Sequence, residues 1–103
     1  MEISSVELQE KINKGEKVIV EFWAEWCGPC KMMKPVFERV ANATTDVQMY
    51  TMNVDLNREI ASGLGIRSIP TIKTFNAGNV IETKVGVLNE GQIKELVADL
   101  ING

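Results

Sequence analysis

Cys27 and Cys30, the two cysteines of this chain, enclose only Gly28 and Pro29. Residues at this spacing lie on neighbouring turns of one helical face, so small local adjustments bring two sulfurs within bonding distance. A purely structural disulfide is the weaker interpretation, because such a short ring removes little entropy from the unfolded chain. A zinc site is weaker still, because the chain has no histidine and no third cysteine. The pair therefore predicts thiol–disulfide exchange.

The residues before the cysteines explain how the sulfurs are positioned. Residues 18 to 24 are β-branched, aromatic and apolar apart from one acid, which predicts a strand buried on both faces. Cys27 falls where this strand ends and a helix begins. The unpaired N–H groups of a helix N-terminus stabilise a thiolate and lower the pKa of a thiol there. We therefore expect Cys27 to be the nucleophile and Cys30 the resolving thiol.

Glu21 is the acid within that apolar run. An ionised carboxylate is costly in a strand covered on both sides, so burial should raise the pKa of Glu21. Such a group could accept the proton of the Cys30 thiol, directly or through water. The alternative is that the side chain reaches the edge of the sheet or pairs with a lysine.

The remaining pattern predicts an α/β fold in the order helix, strand, helix, strand, helix, strand, strand, helix. Capping boxes begin the first helix at Ser4 and the last at Asn89, and Pro35 should kink the second helix. Asn53, Asp55 and Asn57 should supply the turn and the cap that precede the short third helix. The last helix carries an apolar stripe made of Ile93, Leu96, Val97, Leu100 and Ile101.

The segment from Phe22 to Lys31, together with residues 69–71 and 84–86, resembles the thioredoxin family, and the similarity extends over nearly the whole chain. The resemblance implies the thioredoxin fold, a central mixed β-sheet flanked by helices on both faces, in a single domain over residues 1–103. It also implies a protein-disulfide reductase that acts through Cys27-Gly28-Pro29-Cys30 and donates electrons to other proteins.

The resemblance implies further site features as well. The expected partners are disulfide-containing target proteins and a thioredoxin reductase, and no cofactor is expected beyond the redox-active Cys27–Cys30 disulfide. A cis peptide bond is expected before Pro70. Targets would dock on a shallow apolar patch formed by Trp26, Gly28, Pro29, Ile69, Pro70, Val85 and Gly86.

Three positions depart from the family pattern. Thioredoxins usually have an aspartate where this chain has Glu21, and a lysine on the neighbouring strand where it has Thr51. Without that lysine, Glu21 lacks a neighbouring positive charge that would favour its ionised form. Ser68 stands where many members have glycine, which affects details of the loop that faces the target.

Composition limits the other possibilities. A length of 103 residues suits one compact domain, and a net charge of −3 argues against a nucleic-acid-binding protein. No basic and apolar leader or membrane-length apolar run is present, so we expect a cytoplasmic monomer without a membrane partner. Two other hypotheses stay open: a binding subunit of a larger enzyme in which the thiols are incidental, and a dimer bridged by a metal between two cysteine pairs.

Overall fold

Four helices and four strands follow one another in the predicted order in the computed structural model, which describes all residues from 1 to 103. The elements are α1 (Ser5–Asn13), β1 (Val18–Trp23), α2 (Gly28–Asn42), β2 (Gln48–Asn53), α3 (Arg58–Gly63), β3 (Thr71–Asn76), β4 (Asn79–Val85) and α4 (Glu90–Asn102).

The strands form one mixed sheet in the order β2-β1-β3-β4. β1 runs parallel to β2 and antiparallel to β3, and β4 pairs antiparallel with β3. Parallel neighbours require a crossover connection, which α2 provides between β1 and β2. All six residues of β1 are buried, as expected for a central strand covered on both sides.

Helices cover both faces of the sheet, which confirms the predicted thioredoxin fold. On one face, Met33 and Phe37 of α2 and Ile93 of α4 pack against Ile19 and Ile72. On the other face, the cluster joins α1 and α3 to the alternate residues of β1; it contains Leu8, Val18, Val20, Phe22, Met52 and Phe75, with Ile60 packed against it. The alternation of side chains along β1 therefore divides the interior into two layers.

The predicted helix caps are mostly correct. Ser4 and Asn89 both form complete capping boxes, and Pro35 lies inside α2. Two expectations are wrong. Asn57 precedes α3 without a side-chain cap, because its amide group instead bonds the backbone carbonyl of Asn53 and the Ser5 side chain. Ile101 is exposed, because it lies at the edge of the stripe that buries the other four apolar residues of α4.

The hairpin between β3 and β4 turns at Ala77 and Gly78. Both residues have positive φ angles, 54° and 84°, which matches the sign required by a two-residue type I′ turn. The resulting strand β4 lies at the edge of the sheet, where Val80, Ile81 and Val85 are exposed. A register shift interrupts its pairing with β3 between Thr74 and Phe75.

Candidate active site

The cysteine pair lies where β1 gives way to α2, as the sequence predicts. Cys27 is the N-cap residue of α2 and is joined to Cys30 by a disulfide bond. The backbone N–H of Cys30 donates a hydrogen bond to the Cys27 sulfur over 3.2 Å. Pro29 occupies the first turn of the helix, where its missing N–H has no intrahelical partner to lose. The local sequence thus places one sulfur against the N-terminal donors of the helix.

The two sulfurs differ in access. Cys27 exposes 5% of its surface, whereas Cys30 exposes none. Trp23 and Ala24 pack around both cysteines and close the site from the β1 side. Of the two cysteines, only Cys27 therefore has any surface accessible from outside the protein.

The segment before β3 approaches the disulfide from the opposite side. The Ile69–Pro70 peptide bond is cis, and the carbonyl oxygen of Ile69 lies 3.9 Å from the Cys27 sulfur. The carbonyl oxygen of Pro70 accepts a hydrogen bond from the N–H of Gly86 over 2.9 Å. Gly86 has a φ of +99°, a conformation that side chains with a Cβ rarely adopt. This hydrogen bond holds the ends of β3 and β4 together beside the cysteines.

The residues of the expected docking patch surround the disulfide. Trp26 is 71% exposed, and its Nε1–H donates to Oδ2 of Asp55 over 2.8 Å, which fixes the position of the indole ring. Gly28, Pro29 and Val85 are also exposed, Ile69 and Gly86 are half-buried, and the Pro70 side chain is buried. The patch is therefore apolar and open, and Pro70 contributes its backbone shape rather than a side-chain contact.

Glu21 is completely buried, and neither of its carboxylate oxygens has a hydrogen-bond partner. Burial raises the pKa of Glu21 to about 8. The charge of Lys34 opposes this rise in pKa, whereas the charges of Glu38 and Glu2 add to it. The expectation of a raised pKa is thus confirmed, and the alternative, a side chain that reaches solvent or forms an ion pair, is wrong.

Thr51 lies directly beside Glu21, because the two residues are partners in the β1–β2 register. The Thr51 hydroxyl donates a hydrogen bond to Oε1 of Glu2 over 2.8 Å. The same carboxylate of Glu2 accepts hydrogen bonds from Nε1–H of Trp23 and from the backbone N–H of Asn53. Glu2 therefore joins the chain near the N-terminus to β1 and β2 behind the cysteines.

Sequence reasoning missed three residues near the site: Glu2, Lys34 and Asp55. The Lys34 ammonium group lies 3.8 Å from the centre of the Trp23 ring. The spacing of four residues places Lys34 on the same face of α2 as Cys30, but only the packing of α2 on β1 brings it to Trp23. No comparable local signal exists for Glu2, whose partners are distant in the sequence.

No three His, Cys, Asp or Glu side chains are grouped so that they could hold a metal ion. None of the helices is both long enough and apolar enough to cross a membrane.

Comparison with known proteins agrees with this geometry. The family model described as Thioredoxin matches residues 1–99. The chain is 45% identical over 94 residues to a thioredoxin from Rickettsia typhi, covering 90% of this chain and 86% of the relative. It is 39% identical over 102 residues to a thioredoxin from Alicyclobacillus acidocaldarius, covering 98% and 97%. A mutant thioredoxin from Halobacterium salinarum NRC-1 has a similar structure, with a TM-score of 0.87, 33% identity and coverage of 98% and 89%. Together with a cysteine pair that caps a helix at the end of a central strand, these matches show that the chain belongs to the thioredoxin family of disulfide oxidoreductases.

Proposed function

We propose that Cys27 attacks the disulfides of other proteins and that Cys30 completes their reduction. The Cys27 thiolate forms a bond to one target sulfur, and the other target sulfur leaves as a thiolate. Cys30 then loses its proton and attacks the Cys27 sulfur, which breaks the mixed disulfide and releases the second target thiolate. The target gains two electrons, and this protein is left with the Cys27–Cys30 disulfide. The observation that carries the assignment is that Cys27 keeps a small accessible surface, 5% of the residue, whereas Cys30 has none.

The start of α2 supports Cys27 as the attacking group. Its sulfur already accepts the N–H of Cys30, and the partial positive charge of the helix N-terminus faces it. Hydrogen bonds and dipoles of this kind are stronger toward a thiolate than toward a neutral thiol. Cys27 should therefore react near neutral pH.

Substoichiometric iodoacetamide should test this assignment directly. When the fully reduced protein is treated at pH 7, we expect Cys27 to be labelled about tenfold or more faster than Cys30, because thiolate fraction and access both favour it. Fragmentation of the tryptic peptide by mass spectrometry locates the label. Insulin reduction should be lost in proportion to Cys27 labelling. Equal labelling of the two cysteines, or preferred labelling of Cys30, would contradict the proposal.

We further propose that Glu21 accepts the proton of the Cys30 thiol, directly or through water. Glu21 lies two residues before Trp23 on the same face of β1, and Trp23 packs against Cys30. A carboxyl group with a pKa near 8 is suited to exchange protons with a thiol close to neutral pH.

Replacement of Glu21 by glutamine should slow the single-turnover reduction of a protein disulfide by about 10- to 100-fold above pH 8, because a general base usually contributes at least this much. The two rates should converge at pH 6, where Glu21 is protonated and cannot accept another proton. Stopped-flow tryptophan fluorescence provides the rates. If the ratio of the two rates is the same at every pH, Glu21 is not the proton acceptor.

The docking patch gives the proposed target its binding site. An extended segment of the target would lie on Trp26, Ile69 and Val85, and the main chain of Ile69 would bond the target backbone. Open space at Gly28 and Gly86, where an added Cβ would meet no atom within 4 Å, lets the target approach closely. We expect the patch to recognise main-chain shape rather than a particular sequence, which suits a reductase with several targets.

The proposed reductase, the lack of a bound cofactor, the monomeric state and the cytoplasmic location are all consistent with this chemistry. A thioredoxin reductase returns the disulfide to the dithiol, and no bound cofactor is needed because the cysteine pair itself carries the electrons. A monomer in the cytoplasm fits a dithiol that must stay mostly reduced and must reach many targets.

A further inference from the structure

β2 places no positively charged side chain next to Glu21 and donates no hydrogen bond to its carboxylate. Its neighbour Thr51 replaces the lysine of the family pattern, and the Thr51 hydroxyl donates to Glu2 instead. Ile72, its neighbour on β3, is apolar. An ionised Glu21 therefore has no stabilising partner within the sheet.

A positive charge reaches this region from α2 instead. The Lys34 ammonium group lies 3.8 Å from the centre of the Trp23 ring, a distance at which the face of an indole attracts a cation. The Nε1–H edge of the same ring donates to Glu2 over 2.9 Å. Trp23 follows Glu21 by two residues, so the two side chains share the face of β1 on which α2 packs.

The charged groups that act on Glu21 come from two directions. α2 contributes Lys34 and Glu38, and the segment before α1 contributes Glu2. Lys34 is the only cation among them. Its side chain is half-buried in a surface cleft beside Trp23, so its charge is screened less than that of a fully exposed lysine.

We propose that Lys34 is a positioning residue for disulfide exchange: held over Trp23, it supplies from α2 the positive charge that the family pattern places on the strand beside Glu21. The kinetic consequence rests on the proposed role of Glu21. During resolution, the S–H bond of Cys30 breaks and its proton moves to the Glu21 carboxylate. The electron pair left on Cys30 attacks Cys27 and displaces the target thiolate. Lys34 neither gains nor loses a proton, and it favours the state in which Glu21 is ready to accept one.

Titration of Glu21 tests the proposal without relying on catalysis. The side-chain carboxyl ¹³C shift of Glu21 is followed against pH in the oxidised protein. Lys34→Gln should raise the midpoint by about one pH unit, because it removes a nearby opposite charge. Lys34→Arg, which keeps a cation that can stack on Trp23, should restore the midpoint to within about 0.3 units of the wild type. Lys31→Gln removes the same charge from the same surface cleft, and it should leave the midpoint unchanged.

Three outcomes would overturn the role of Lys34. These are an unchanged midpoint in Lys34→Gln, an equal shift in Lys31→Gln, and a failure of Lys34→Arg to restore the wild-type value. The first would mean that the Lys34 charge does not reach Glu21, the second that any charge on α2 acts alike, and the third that the cation over Trp23 is not what matters.

Single-turnover rates then separate this inference from the proposed function. We expect Lys34→Gln to shift the rate–pH profile to higher pH by the same amount as it shifts the Glu21 midpoint. In a Glu21→Gln background, Lys34→Gln should have no effect on the rate–pH profile. If the midpoint moves and the rate profile does not, Lys34 has its inferred role and Glu21 is not the proton acceptor. If the rate depends on Glu21 but Lys34→Gln leaves the Glu21 midpoint unchanged, the proposed function stands and the inference fails.

Discussion

Replacing Cys30 with serine is expected to abolish turnover and to leave the protein covalently bound to its target. Cys27 should still attack a target disulfide, but no thiol remains at residue 30 to displace the target. Turnover in insulin reduction should fall by about 1,000-fold or more, as when an essential nucleophile is removed. A covalent complex with the target should accumulate, visible as a higher-mass band on non-reducing gels that disappears with dithiothreitol.

The matched variant Cys27→Ser separates the roles of the two sulfurs. Because Cys30 is completely buried, this variant should neither turn over nor form the covalent complex. A complex formed through Cys30 would show that the roles are reversed. If both serine variants kept full biological activity, the thiols would be incidental, and the protein would act as a binding subunit instead.

The second large effect expected is on stability. In the folded protein the pKa of Glu21 is about 8, whereas its ordinary value is 4.5. Between these two pH values the unfolded chain binds fewer protons at Glu21 than the folded chain does, so the free energy of unfolding falls as the pH rises. The fall begins near pH 4.5 and is complete above pH 8, and its total is about 3–5 kcal/mol. Because glutamine does not ionise, Glu21→Gln should be more stable than the wild type by about this amount at pH 9 and within about 1 kcal/mol of it at pH 5.

Urea unfolding of the oxidised proteins at pH 5, 7 and 9 measures this effect. The disulfide stays intact in every sample, so the cysteines do not titrate. The difference between variant and wild type removes the contributions of the other titrating groups, which the two proteins share. Glu25→Gln, a change at an exposed carboxylate of the same segment, is the control for the loss of one acidic side chain. A pH-independent difference for Glu21→Gln would show that the buried carboxyl group is already ionised in the fold.

The placement of the cysteines could be predicted because it depends on local sequence. An apolar run followed by Cys-Gly-Pro-Cys ends a strand and begins a helix, so Cys27 becomes the N-cap whatever the rest of the chain does. The burial of Glu21 was predictable for the same reason, since its neighbours on both sides are apolar. The family resemblance added the cis bond at Pro70, and it placed Gly86, which is distant in the sequence, in the expected docking patch.

The supporting contacts of the site could not be predicted in this way. Glu2 meets Trp23 and Thr51 only because the segment before α1 runs beside β2 in the folded sheet. Lys34 belongs to an amphipathic helix, where a lysine usually faces water, and its position over Trp23 depends on how α2 packs on β1. Asn57 shows the same limit, because a distant contact with Ser5 replaces the local cap.

The exposed strand β4 has a consequence for how the molecules behave at high concentration. Its outer edge offers unpaired backbone groups, and Val80 and Ile81 are 43% and 52% exposed. Such an edge can recruit a strand from a second molecule and begin a fibre. Here Glu82 and Lys84 interrupt the apolar residues, and the register shift beside Phe75 disturbs the flat surface that stacking would need. β4 therefore combines an open edge with two features that discourage aggregation.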